Sequence, residues 1–314
     1  PFLVKKFPHV KIITTPQTRA LAELTLHNSV SILKKEIEED DFEFYTHDEV
    51  DLLIKMIDYK EYQKEFELNS FHQQKDAKVN CTFYDAGHIL GSAGILLENN
   101  NHKIFYTGDI NLSSQTLQSA ARLPETKIDT LILETTYGAT DSELLLDWNS
   151  ESLRFAKEAN NILNNGGSIL IPVFSLGKMQ EMLGTIWHLM LKRKLTNGDI
   201  YTGGLGTKIN RAYDYNRFTV SRVDEEFELN AISQKDYYEI SNPEDFFKHP
   251  CIVLASSGMM IKGTSSFIFA KRWLKQKDSA IFTVGYMSED TPGYVVANAV
   301  RGDKIQLTEF DEPV

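Results

Sequence analysis

The sequence predicts an α/β protein of two lobes, on three observations: its length, a run of short strands between about residues 79 and 133, and a helix–strand alternation from about residue 146 onward. At 314 residues the chain is longer than one ordinary core and comfortable for two. Hydrophobic residues make up 42% and charged residues 25%, the balance of a globular protein rather than a disordered or membrane chain.

Val10 to Thr14 is apolar and β-branched and predicts a strand, and Pro16 fits the first turn of a helix. Leu21, Leu24, Val30, Leu33 and Ile37 then recur at near-helical spacing. Thr46-His47-Asp48-Glu49 is a capping box that starts a second helix, with Leu52, Leu53, Met56 and Ile57 as its apolar face. Short strands follow at Val79 to Tyr84, Gly94 to Leu97, Ile104 to Tyr106 and Thr130 to Leu133, punctuated by Gly, Asn and Asp. Beyond Leu146 the order turns to helix and strand, with Gly166-Gly167 ending a helix before Ile169 to Val173. Cys251 to Ala255 and Ala280 to Val284 are further strands. This alternation predicts parallel βαβ units in a separate lobe.

The longest apolar runs, Ile169 to Phe174 and Ile252 to Ala255, are strand length and far short of a bilayer span, so no membrane is expected. Pro1 to Pro8 has no apolar core or small-residue cleavage site, and no signal peptide is expected there. Cys81 and Cys251 each lie in an apolar run, which predicts two buried thiols in a reducing cytoplasm. The net charge of −11 opposes spontaneous adhesion to a polyphosphate. A nucleic-acid ligand would need a local basic groove drawn from Lys192, Arg193, Lys194, Lys208, Arg211, Arg217, Arg222, Lys262, Lys271 and Arg272, most of which read as ordinary solvated faces.

Polar residues without an obvious packing reason gather at strand ends. His88 sits in Asp85-Ala-Gly-His-Ile-Leu-Gly-Ser-Ala-Gly94, where flanking glycines let the backbone turn so that the imidazole could face a cleft. Imidazole is the commonest zinc ligand, although a lone loop histidine more often bonds locally. Asp109 follows Tyr106-Thr107-Gly108 and could bridge two cations, or be a plain turn aspartate. Glu134 ends the apolar Leu131-Ile132-Leu133, where a buried carboxylate needs a partner, such as a histidine acting as general acid. Lys178 could offer a phosphate its charge, and Ser257, Gly258 and Met259 a hydroxyl and backbone amides. A surface lysine and a structural glycine turn weigh about equally.

In this order the residues resemble the β-CASP branch of the metallo-β-lactamase fold, which includes the messenger-RNA 3′-end endonuclease and bacterial ribonuclease J. The resemblance runs over nearly the whole chain. It includes Pro8 to Ser29, the glycine-flanked His88, Gly108-Asp109, Glu134-Thr-Thr-Tyr-Gly138, Ile171 to Glu181, Leu254 to Met259, Val284-Gly285-Tyr286, Thr291 and Gly293. It implies a partial metallo-β-lactamase αββα sandwich over residues 1–147, an inserted β-CASP α/β lobe with a mostly parallel sheet over 148–303, and the start of a return to the first domain over 304–314. It further implies His88 as a zinc ligand, Asp109 as the metal-bridging carboxylate, and Glu134 as the acid that orients a catalytic histidine. Two zinc ions complete such a site, single-stranded RNA is the partner, and a homodimer is compatible with it.

The family also carries an upstream His-x-His-x-Asp-His cluster, a Ser-x-His element and a later histidine. The His-x-His-x-Asp-His spacing occurs nowhere among the eight scattered histidines, and the chain stops at Glu312-Pro313-Val314 before the other two elements, which follow the β-CASP lobe in the family, could appear. The expectation is therefore an interior stretch cropped at both ends, inactive or very weak by itself, since two ligands do not close a zinc site. Lys178 stands where the family often has arginine, losing the bidentate phosphate fork, and Pro292 and Tyr294 fall in a stretch that is usually less constrained and more basic. Two other readings are a non-catalytic β-CASP homologue serving as scaffold or RNA-binding partner, and a small ester or thioester hydrolase of the same fold. Retention of His88, Asp109 and Glu134 weighs against the scaffold, and the second lobe weighs against a small substrate.

Overall fold

The computed structural model describes residues 1–36, 45–68, 78–100, 102–141, 143, 145–300 and 302–308. Ile37 and everything after Thr308 lie outside the described residues. The chain divides into two compact units, Pro1–Leu144 with Tyr215–Glu226, and Leu145–Asp214 with Phe227–Val314. No helix among the described residues is long and apolar enough to cross a membrane.

Unit 1 begins with α1 (Phe2–Lys6), β1 (Ile13–Thr14), α2 (Pro16–Glu36), α3 (His47–Met56) and β2 (Asp58–Tyr59). The predicted capping box at α3 is formed in both halves, Thr46 Oγ1 accepting from Glu49 N and Glu49 Oε2 from Thr46 N. The predicted apolar face is corrected. Leu52 and Met56 are 60% and 51% exposed, whereas Val50, Leu53, Ile54 and Ile57 are buried against Val30, Ala22 and Leu26. Positions 50, 53, 54 and 57 form the i, i+3, i+4, i+7 stripe that faces α2.

A five-stranded sheet follows, in the order β3 (Phe66–Leu68), β4 (Val79–Asp85), β5 (Ala93–Asn99), β6 (His102–Tyr106) and β7 (Thr130–Ile132). Pairing is antiparallel up to β6 and parallel between β6 and β7. Strands β4, β6 and β7 therefore end at the same edge. Strand β7 ends one residue earlier than predicted, and Leu131, Ile132 and Leu133 are all about half exposed.

Unit 2 contains α4 (Trp148–Asn164), β8 (Ile169–Pro172), α5 (Lys178–Leu191), β9 (Asp199–Thr202), α6 (Leu205–Tyr215), β10 (Lys235–Asp236), β11 (Cys251–Ala255), α7 (Ser265–Trp273), β12 (Ala280–Ile281) and α8 (Pro292–Asn298). The glycine pair ends α4 as predicted. Gly166 adopts φ +86°, and Gly167 passes so close to Asp278 O that a Cβ would stand 1.7 Å from it. The sheet is wholly parallel in the order β10-β9-β11-β8-β12, as the alternation predicts. Ile169 to Ile171 and Ile252 to Ala255 are completely buried, the continuous apolar run of central parallel strands. Strand β12 stops at Ile281, short of the predicted Val284.

Strand order decides where this sheet opens. The chain leaves β8 toward β9 on one side and leaves β11 toward β12 on the other. Right-handed crossovers then put α5 and α7 on opposite faces, and the loops after the adjacent β8 and β11 diverge. A crevice at the carboxyl ends of parallel strands forms at such a switch point. Cys81 and Cys251 are both free, and burial pushes each thiol up to about 11, which makes them inert packing groups.

Candidate functional site

In unit 1, the turns after β4, β6 and β7 carry His88, Asp109 and Glu134 to one sheet edge. His88 Nε2 lies 4.0 Å from Asp109 Oδ2, with side chains 46% and 79% exposed, so neither residue is held by packing. Its loop is built by neighbours that sequence reading gave no role. Ser92 Oγ accepts from the amides of His88 and Ile89 at 3.2 Å each. Asp85, 3% exposed, accepts from Gly87 N at 2.9 Å and from Ser221 N at 3.4 Å. Burial raises the Asp85 carboxyl above its ordinary value, against the opposing pull of those two amides and of Arg122. Gly87, at φ +66°, packs against residues 119–121, where a Cβ would stand 2.5 Å from Ala121 N. The Asp-x-Gly turn was a legible local signal, but Ser221 lies 136 residues away.

Glu134 is half-buried rather than buried, and its partners are backbone amides. Oε2 accepts from Thr136 N at 2.8 Å, and Oε1 from Ile110 N at 3.5 Å. The Glu134 amide itself donates to Thr107 Oγ1 at 3.3 Å, which ties the turn after β7 to the turn that bears Asp109. The Thr136 amide and hydroxyl, and after them Ile110 and His88, hold the carboxyl below its usual range, so Glu134 is anionic at neutral pH.

Two nitrogen or oxygen ligands on one tetrahedral zinc ion stand about 3.4 Å apart at bond lengths of roughly 2.0–2.2 Å. The His88–Asp109 separation is a small side-chain rotation from that value, so these two donors fit as part of a metal shell. Among the described residues no group of three or more His, Cys, Asp or Glu side chains comes together in metal-holding geometry.

In unit 2, Lys178 and the Ser257–Met259 turn both lie at the carboxyl-end edge, in the diverging loops after β8 and β11. Lys178 opens α5 beside the Trp148 ring, 5.7 Å from its centroid. Burial pulls its ammonium below the usual lysine range, with Glu181 opposing. Ser257 Oγ accepts from Ile261 N at 3.0 Å and Ser257 O from Ser266 Oγ at 2.6 Å, so this residue closes its own turn. Gly258 packs on Phe174, and Met259 O accepts from Gly293 N at 2.9 Å. Beneath this edge Gln180, fully buried, accepts from Gly177 N and donates toward Ser175 O, Gly206 O and Asn210 Oδ1. Sequence reading missed it, although glutamine three residues after the cap is a capping-box signal.

Several of the cations named as candidates for a basic groove are placed or used otherwise. Lys192 to Lys194 follow the far end of the 14-residue α5, roughly 20 Å along the helix axis from Lys178. Arg222 is 7% exposed, Arg272 pairs with Glu244 at 3.1 Å and Lys271 lies over the Phe267 ring. Lys208, exposed in the first turn of α6, remains at the carboxyl-end edge.

Comparison with known proteins adds a family to this geometry. Residues 179–296 match the model of the Beta-Casp domain. The chain is 29% identical over 306 residues, 96% of its length, to the cleavage and polyadenylation specificity factor subunit 3 of Dictyostelium discoideum, covering 37% of that protein. It is 32% identical over 289 residues, 90% of its length, to an RNase J-like protein of Methanocaldococcus jannaschii, covering 63% of it. It is 29% identical over 315 aligned residues, 95% of its length, to the endoribonuclease YSH1 of Mycosarcoma maydis, covering 34% of it. The chain thus spans between about one third and two thirds of these relatives. The domain match and the near-full-length alignments carry the resemblance drawn from the residues, and the chain belongs to the β-CASP family.

Proposed function

We propose that the protein containing this chain is a metal-dependent RNA-processing phosphodiesterase, to which the chain contributes part of the metal shell and a substrate-facing lobe. The convergence of His88, Asp109 and Glu134 at one sheet edge carries this reading. Exposed donors 4.0 Å apart, fixed only through their backbone loops, have a geometry that packing does not require. Zinc, two ions in the complete site, would be held in part by His88 and Asp109 and would supply Lewis acidity toward a phosphodiester and an activated water. Asp109 presents a carboxylate able to bridge. Glu134, kept anionic by Thr136 and Ile110, accepts a proton-bearing imidazole and orients it for leaving-group protonation. Lys178 faces phosphate from the switch-point crevice, with the Ser257–Met259 turn shaping its wall.

The half-exposed Leu131, Ile132 and Leu133 support reading the sheet of unit 1 as one layer of a metallo-β-lactamase αββα sandwich. On this reading residues 1–147 belong to that domain, 148–303 to the β-CASP lobe and 304–314 to the return. The relatives named for RNase J and as an endoribonuclease support RNA as substrate. The two buried free thiols support a reducing compartment.

The test is cleavage of end-labelled single-stranded RNA by the full-length protein with and without chelator, alongside its zinc content. Chelator-sensitive cleavage by a protein holding zinc is expected. A metal-free protein that folds and leaves RNA intact overturns the proposal and favours a scaffold.

A further inference from the structure

Besides the edge that bears Lys178, the sheet of unit 2 has a second place where its loops diverge. The chain leaves β9 toward β10 on one side and leaves the adjacent β11 toward β12 on the other. Right-handed crossovers then set α6 and α7 on opposite faces, and both helices start at the crevice between the loops after β9 and β11. Contacts agree with this placement: Gln180 of α5 bonds to Asn210 of α6 on one face, and Tyr237 packs on Phe269 of α7 on the other. The loop after β9 reads Thr202-Gly-Gly-Leu-Gly-Thr-Lys208 and runs straight into the 11-residue α6. The first four amides of a helix have no partner within it.

The three glycines of this loop have different reasons. A Cβ on Gly206 would stand 1.9 Å from Met179 Sδ, so this glycine lets α6 pack on α5. A Cβ on Gly203 would stand 2.8 Å from the Tyr237 ring and 2.9 Å from Asp236 Oδ1. Gly204 is only half-buried and adopts φ +67°, and the atoms nearest a Cβ there would be the Tyr237 hydroxyl and the Tyr238 ring and hydroxyl, all at 3.7 Å.

Four side chains gather around Gly204. Tyr237 is 3% exposed, and its hydroxyl is sealed from solvent without a hydrogen-bond partner. The hydroxyls of Tyr238 and Ser265 beside it lie 3.1 Å from each other and satisfy one another. Burial, and after it Tyr238, raises the Tyr237 hydroxyl above its ordinary value, so it remains a proton donor. The Tyr238 ring covers Tyr237 with centroids 4.8 Å apart and is itself 67% exposed, so its outer face is open and its rotation uncovers the hydroxyl beneath. Asp236 ends β10, the strand beside β9; its Oδ1 accepts from Tyr238 N at 2.9 Å, and its Oδ2 accepts from no described residue. Lys208 is exposed in the first turn of α6 and pairs with no described carboxylate. A cation there opposes the helix dipole unless an anion joins it.

We propose that this crevice is a ribonucleotide site, in which the α6 start, Lys208 and the Tyr237 hydroxyl take the phosphate, Asp236 accepts from the ribose 2′-hydroxyl, and the base stacks on Tyr238. A glycine-rich helix start after a parallel strand cradles phosphate through its amides, and an acid at the end of the neighbouring strand is the ribose acceptor of such βαβ units. Asp236 would repel a bare anion, and its unused oxygen calls for a hydroxyl carried by the same ligand. An open tyrosine face accepts any base. None of these groups belongs to the His88 edge, so the site goes beyond the proposed phosphodiesterase and stands without metal. A free nucleotide and the phosphorylated end of an RNA chain share this chemistry.

The experiment is calorimetry on the whole chain with His88→Ala, in chelator, so that the outcome is independent of the metal reading. The probes are AMP, 2′-deoxy-AMP, inorganic phosphate, and an RNA tetranucleotide with and without its 5′-phosphate. AMP is expected to bind at least about tenfold tighter than 2′-deoxy-AMP and than phosphate alone. Tyr238→Ala lowers AMP affinity by about 5- to 150-fold, and Tyr238→Phe restores it to within about twofold. Lys208→Met weakens binding about 3- to 10-fold and reduces the salt slope by about one. Asp236→Asn, which keeps the acceptor for Tyr238 N, narrows the preference over 2′-deoxy-AMP to about threefold or less. Tyr237→Phe weakens AMP binding while urea stability stays equal or rises, because an unpaired buried hydroxyl is removed. A 5′-phosphorylated tetranucleotide bound at least about tenfold tighter than AMP and than its unphosphorylated form assigns the site to an RNA end; AMP bound as tightly as the tetranucleotide assigns it to a free nucleotide. Absence of binding by both AMP and the phosphorylated tetranucleotide, phosphate bound as tightly as AMP, or isotherms unchanged by Tyr238→Ala and Lys208→Met overturns the proposal.

Discussion

The two units put their polar residues to opposite uses at the ends of their strands. In unit 1, His88 and Asp109 project into solvent, and hydrogen bonding is invested in the loops beneath them through Asp85, Ser92 and Thr107. In unit 2, Ser257, Met259 and Gln180 spend their polar atoms within the edge itself, while Lys178 and Lys208 keep charges there. The difference teaches that His88 and Asp109 keep their functional atoms free for a ligand, whereas the polar residues of the other edge are used in closing their own turns. Hydrogen-bonded neighbours do not separate the two edges, since both have those.

The contrast breaks first at Asp109. At 79% side-chain exposure its replacement by alanine should change unfolding stability by no more than about 0.5 kcal/mol, while RNA cleavage by the full-length protein falls by at least about 100-fold. His88→Ala should behave alike. Ser257→Ala should show the reverse balance, with a measurable loss of stability and little loss of rate. Urea unfolding and single-turnover cleavage on the same preparations read both quantities. Equal effects at Asp109 and Ser257 would erase the distinction.

Gln180 sharpens the other side. Removing its amide strands Gly177 N, Ser175 O and Asn210 Oδ1 in a fully buried position. Gln180→Ala should cost about 1–3 kcal/mol in urea unfolding, with Gln180→Glu at least as damaging because it loses the donor.

Lys178 is the exception within unit 2. Its folded value is depressed by burial, so its contribution to stability is gained above the unfolded lysine value and lost as pH falls through the folded one. At neutral pH the ammonium is therefore held at a cost, offset in part by Glu181. Lys178→Met should leave the fold equally stable or up to about 1 kcal/mol more stable. If the lysine faces RNA, the same substitution weakens binding by the full-length protein and reduces the salt slope by about one. Stability lost with RNA affinity unchanged would make Lys178 a packing residue like its neighbours.

What the sequence made legible was local. The capping box at Thr46, the glycine stop at Gly166 and the β-branched run at Cys251 each act within a few residues, and each formed where expected. The face of α3 was misjudged because Leu52, Leu53, Ile54, Met56 and Ile57 offer two apolar stripes, and the choice between them is made by Val30 on another helix. The strand-end residues His88, Asp109 and Glu134 were visible, whereas the support beneath His88 was not, because Asp85 meets Ser221 across distant sequence. Glu134 shows the reverse, since a carboxylate for which the sequence offered a remote histidine also finds an amide two residues along the chain.

That residue supplies the smallest expected effect. The Thr136 amide and hydroxyl, then Ile110 and His88, hold the Glu134 carboxyl below its ordinary 4.5. A depressed value adds stability that is present above the unfolded value and disappears as pH falls through the folded one. Because the group is only half-buried, solvent screening reduces this to about a few tenths of a kcal/mol. Glu134→Gln should therefore be slightly less stable than the parent at pH 7 and indistinguishable from it near pH 3 in paired urea titrations. In RNA cleavage by the full-length protein the same variant should lower the rate far more than its stability change explains, and should shift the alkaline limb of the pH–rate profile. A rate loss no larger than the stability loss would return Glu134 to a turn residue and move the edge of unit 1 closer in kind to that of unit 2.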